Sequence, residues 1–119
     1  MPITTMKLTE LSDREILAIV EPLMENCLAG SNENDHSKHV KDFTQRMQRI
    51  VTPEELARQL ASEPRAYFTE RQFLTVFRRR QSVAVVWRQF TSLNTDELIN
   101  QAIFVDDNGR VLIDHCMIC

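Results

Sequence analysis

No apolar run in the chain approaches the roughly 20 residues that a helix needs to cross a bilayer, so no membrane span is expected. Met1 to Leu8 lack the apolar block of a secretory signal. Three cysteines are too few for the disulfide framework of a small secreted domain and read as reduced thiols. The formal net charge of −3 gives no electrostatic reason to expect nucleic acid, because phosphate binding needs a concentrated basic surface. The longest basic run, Arg78-Arg79-Arg80, reads as a solvated hairpin tip. There is no repeat, linker or low-complexity tract. These absences point to a cytoplasmic protein with no nucleic-acid or membrane partner, forming one domain over residues 1–119. What is present supports a packed core: 43% hydrophobic and 26% charged residues are ordinary for a globular domain.

Helix signals come first along the chain. Ser12-Asp13-Arg14-Glu15 is a capping box, in which Ser12 and Glu15 satisfy each other's amides. Ile16, Ile19, Val20, Leu23, Met24, Cys27 and Leu28 then recur at the three-and-four spacing of one buried stripe. Pro22 is expected to kink or split this helix, and Gly30 to stop it. Asp35 starts a second helix with Val40, Phe43, Met47 and Ile50 on one face. Thr52-Pro53-Glu54-Glu55 starts a third, with Thr52 as cap, Pro53 at the first helical position and Glu55 closing the box. That helix turns Leu56, Leu60 and Ala61 inward and fades near Glu63-Pro64.

From Gln72 the period changes. Gln72 to Arg79, Val83 to Phe90, Glu97 to Val105 and Arg110 to Ile118 are rich in Val, Ile and Phe, as antiparallel strands are. Asp107-Asn108-Gly109-Arg110 predicts a type I′ hairpin turn. Tight turns would set Val105 opposite Leu112, Ile103 opposite Asp114, Gln101 opposite Cys116, Phe77 opposite Ala84 and Phe73 opposite Arg88. The register across Thr91 to Asp96 stays open.

That register puts Arg88, Gln101 and Asp114 on one sheet face, and Trp87, Asn100 and His115 on the other. Neither face alternates with solvent, so the sheet needs two covers. The helices supply one. The other would be a second subunit or a ligand, and the polar residues embedded in each face are where a site would lie.

The stretch His36 to Phe43, the strand Val83-Ala84-Val85-Val86-Trp87-Arg88-Gln89 and the ending Gly109-Arg110-Val111-Leu112-Ile113-Asp114-His115 resemble small members of the cystatin-like α+β folds, within the nuclear transport factor 2-like (SnoaL-like) superfamily. The resemblance implies an α+β domain of three N-terminal helices packed on a curved four-stranded antiparallel sheet. It also implies a cone-shaped pocket and sheet-to-sheet homodimers, among proteins that include isomerases, dehydratases, epoxide hydrolases and non-catalytic binding modules. The chain departs from the enzymes. Its one tyrosine, Tyr67, lies beside the third helix rather than in an evident pocket. Asp114 and His115 are neighbours on one strand and point to opposite faces, so they cannot act as a direct pair. An early hairpin that usually completes the cone is missing.

Cys116-Met117-Ile118-Cys119 has the spacing of a redox motif but ends a strand rather than starting a helix, where the dipole would stabilise a thiolate. His36 and His39, one turn apart, could join these cysteines around zinc, yet structural zinc wants four converging ligands in compact pairs. No metal and no cofactor is therefore expected. Arg88, Gln101, Trp87 and Asn100 are candidate ligand-binding residues, for a small apolar or carbonyl-containing molecule. The favoured reading of Asp114 and Arg88 is that they neutralise one another inside an interface. The leading expectation is a non-catalytic homodimeric binding module. The alternative is a small-molecule isomerase or hydrolyase using Asp114 or His115 with Arg88.

Overall fold

The Ser12 hydroxyl accepts the Glu15 amide at 3.1 Å, and the Glu15 carboxylate accepts the Ser12 amide at 2.9 Å. This capping box starts α1, Asp13–Asn32, in a computed structural model that describes residues 7–119. The expectation for Met1 to Leu8 thus lies mostly outside the described residues. A single 3₁₀ turn, Leu8–Glu10, precedes the helix.

Pro22 does not split α1, which runs unbroken through it. The proline is exposed, as is Ala18, whose carbonyl loses the bond and faces water instead. Ile16, Val20, Met24 and Cys27 continue one buried stripe across the interruption and hold both halves in line. Gly30 is not the stop either. Asn34 takes the left-handed conformation, with φ of 53°, that ends helices in the manner expected of Gly30.

The expected second helix is two. Asp35 caps α2, the single turn His36–His39, and Thr44 caps α3, Gln45–Ile50, by accepting the Met47 amide. Between them Phe43 bridges to Ile113 in parallel, with the Ile113 amide donating to the Asp42 carbonyl at 2.7 Å and the Thr44 amide to the Ile113 carbonyl at 3.0 Å. Val40, Phe43 and Met47 are buried as expected, whereas Ile50 is exposed. Thr52 caps α4, Pro53–Gln59, but Glu55 turns to Arg58 and Gln59 instead of closing the box. Leu56 is buried and Ala61, beyond the helix, is exposed.

Four strands follow as an antiparallel meander in the order β1 (Phe68–Arg78), β2 (Ser82–Thr91), β3 (Leu98–Asp107), β4 (Arg110–Ile118). Asn108 and Gly109, with φ of 55° and 84°, form the turn between β3 and β4 as the sequence predicts. Two bulges change the expected register. One between Phe73 and Thr75 moves Phe73 opposite Trp87 instead of Arg88, onto the helix side. The other, at Asp114, sets Ile103 opposite His115 and Gln101 opposite Met117. A one-residue slip exchanges the faces of everything beyond it. Cys116 and Ile118 therefore join the core side, while His115 and Met117 turn to the other face.

The helices cover one face only. α1 packs over Val83, Val85, Trp87, Ala102, Phe104 and Ile113, all fully or nearly fully buried. Glu21 fixes it there, accepting from Trp87 Nε1 at 2.8 Å and pairing with Arg71 of β1. The opposite face carries Phe77 and Ile99, 56% and 52% exposed, and the half-exposed Met117.

Candidate functional site

A cavity of about 450 Å³ lies where the second half of α1, α2 and α3 meet the ends of the strands. Leu28, Phe43, Met47, Val51, Phe68 and Leu98 make most of its wall apolar. The polar groups are fewer: Ser31, His39, Gln59, Ser62, Arg65, Thr91 and the thiols of Cys27 and Cys116. A concave apolar chamber with a handful of polar groups is the ordinary form of a small-molecule site.

Three local structures position these groups. Gly30 lets α2 approach α1 so closely that His39 reaches the chamber. Asn32 ties the end of α1 to the start of β1, its amide donating to the Phe68 carbonyl and its oxygen accepting the Phe68 amide, both at 2.9 Å. The bulge at Asp114 turns Cys116 inward.

His39 Nδ1 lies 2.8 Å from the Cys27 carbonyl oxygen, which can only accept, so Nδ1 carries the proton. Cys27 Sγ, 3.6 Å from the same nitrogen, cannot pass its proton there. Burial lowers the pKa of His39, partly countered by the bond to Cys27, and nearby His36 lowers it further. The Cys27 thiol is pushed up by its contact with Cys116 and by burial. His39 is therefore a neutral imidazole beside a protonated Cys27 thiol, and the two are not a thiolate–imidazolium nucleophile.

Behind it, Cys116 Sγ donates to Asn100 Oδ1 at 3.8 Å, Asn100 Nδ2 donates to Gln89 Oε1 at 3.1 Å, and Gln89 Nε2 donates to the carbonyls of Glu70 and Phe90. Gln89 and Asn100 are fully buried and fully engaged, so they brace the wall of the chamber.

Arg65 stands at the chamber with its Nη2 donating to the Ser31 and Asn32 carbonyls at 2.8 and 2.9 Å, and its guanidinium lies 4.5 Å over the Tyr67 ring. Its Nε is buried without a partner.

The sequence-predicted residues do not converge. Asp114 accepts from Thr44 Oγ1 at 2.8 Å and from Arg46 Nε at 3.2 Å at the sheet edge, and does not meet Arg88. Arg88 pairs with Glu97 at 2.8 Å and donates to Gln72 at 2.9 Å on the open face. Gln101 and His115 share that face, while Trp87 and Asn100 are buried under α1. None of the six lines the cavity. Tyr67 is exposed beside Arg65. His36 donates from Nε2 to the Val51 carbonyl at 2.8 Å, Cys119 is exposed, and no group of three or more metal-ligating side chains occurs among the described residues. Of the residues that do line the cavity, the sequence singled out His39 only as a possible zinc ligand, and Arg65 not at all. Cys27 read as a stripe residue, and nothing local signals the bulge that brings Cys116 beside it.

Against known proteins, the chain matches no family model and no curated relative.

Proposed function

We propose that this is a non-catalytic small-molecule-binding module of the nuclear transport factor 2-like type, cytoplasmic and homodimeric. The carrying observation is the 450 Å³ chamber, mostly apolar with a few fixed polar groups, whose Cys27 thiol and His39 imidazole are held in unreactive forms. Its size lies within the range of about 300–1,000 Å³ common for ligand pockets. Helices followed by a bulged antiparallel meander support the superfamily reading, and among the described residues no helix is long and apolar enough to cross a membrane.

A second copy of the chain is the proposed cover for the open sheet face. Phe77, Ile99 and Met117 project from it, and its main charge, Arg88, is already neutralised by Glu97. A self-complementary apolar face with its charges paired suits an isologous twofold contact. The isomerase or hydrolyase reading needs Asp114 or His115 to work with Arg88, and their separate positions do not favour it.

Native mass spectrometry of protein purified without added ligand tests this reading. It should give twice the chain mass, plus a small organic molecule that is lost on denaturation. A ligand-free monomer at micromolar concentration that takes up none of a panel of small apolar molecules would contradict it.

A further inference from the structure

Among the described residues that line the chamber, Arg65 alone carries a formal charge, in a chain with 17 acidic and 14 basic residues. Ion pairs are numerous among the described residues, and none of these involves Arg65. Its Nη2 is held by two carbonyls at the end of α1, which offer only about half an elementary charge between them. The cation is thereby fixed in place without being neutralised. A buried N–H with no acceptor carries a desolvation cost that an incoming oxygen would relieve.

Resting on the small-molecule reading above, we infer that the chamber takes an apolar monocarboxylate, with its carboxylate at Arg65 and its hydrocarbon part among Leu28, Phe43, Met47 and Phe68. The half-exposed position of Arg65 beside the exposed Tyr67 puts the charged end at the mouth, where water still reaches it. His39, partly buried and neutral, adds no second charge, so one negative group balances the site. The guanidinium contributes a charge-assisted hydrogen bond, stronger than a neutral alcohol would receive.

Isothermal titration of the unmodified protein with octanoate, 1-octanol and octylamine tests the assignment. Octanoate should bind more tightly than octanol by about tenfold or more, the usual worth of a hydrogen bond to a charged group, and octylamine most weakly. Arg65→Met should erase the difference between octanoate and octanol, and Arg65→Lys should keep part of it. Because Arg65 also holds the end of α1, the three-ligand comparison on the unmodified protein decides the matter should Arg65→Met unfold. Equal binding of octanoate and octanol, or preference for the amine, overturns the carboxylate assignment and leaves the binding-module reading standing. Failure of all three to bind overturns both.

Discussion

A β-carbon added to Gly30 would lie 2.5 Å from the Cα of His39 and 2.9 Å from its Cβ. The α1–α2 crossing is therefore built on the missing side chain, and most of what it meets is backbone that cannot rotate away. Gly30→Ala gains about 1 kcal/mol of helix propensity. It should nonetheless destabilise the protein by about 1–3 kcal/mol, as overpacking does. Urea denaturation measures this, and a stabilised variant would mean that the two helices part easily. Gly109→Ala, whose added carbon meets open space but whose φ is 84°, should cost only the left-handed strain, about 1–2 kcal/mol.

Glu21 joins three elements through one carboxylate, bound to Trp87 Nε1 and to Arg71. Glu21→Ala leaves the indole N–H without its acceptor and an Arg71 guanidinium only 11% exposed with just the exposed Glu25 as counter-charge, and should cost about 2–4 kcal/mol. Glu25, 72% exposed, also pairs with Arg71, and Glu25→Ala should cost less than about 1 kcal/mol. Equal losses in parallel urea melts would refute the distinction.

His39 should make stability depend on pH in a definite direction. Its pKa in the folded protein is lowered from 6.5, chiefly by burial, so below about that pH the unfolded chain binds a proton that the folded chain refuses. This contribution is present above pH 6.5 and is lost as pH falls. A single group of this kind changes stability by at most about 1.4 kcal/mol per pH unit. His39→Asn keeps a donor for the Cys27 carbonyl without the titration, and should flatten the loss between pH 7 and pH 5 relative to the parent. An identical slope in both proteins would exclude His39 as its source.

The three thiols should separate by rate. Cys119 is exposed, Cys116 partly buried, and Cys27 buried with its pKa raised. A thiol-specific disulfide reagent at neutral pH should give one fast equivalent that Cys119→Ser abolishes, with Cys27 reacting only on unfolding. Rapid modification of Cys27 would show that it is held as a thiolate after all.

The sequence displayed the fold's outline because its signals are local. Ser12, Asp35 and Thr52 cap helices where their side chains demand it, and Asn108-Gly109 turns where positive φ is cheap. The site was less legible because it depends on two departures from local pattern. Thr44 breaks what reads as one amphipathic helix, letting Phe43 pair with Ile113. Asp114 bulges in response to that neighbour, since Thr44 and Arg46 draw its carboxylate to the edge. From there on β4 exchanges its faces, so Cys116 comes to face Cys27, and His115 leaves the core side. A contact 70 residues apart in sequence sets that register, and periodicity carries no trace of it.

The most direct test of the chamber as a binding site is a methyl spectrum of the protein labelled at its five methionines, recorded during titration with octanoate. Met47 and Met117 both line the chamber, Met117 with 46% exposure, whereas Met24 is buried in the core outside it. Saturable movement of the Met47 methyl, assigned through Met47→Leu, is the result expected of a ligand inside. Movement of Met24 alone, or of no methionine at saturating octanoate, would contradict the account.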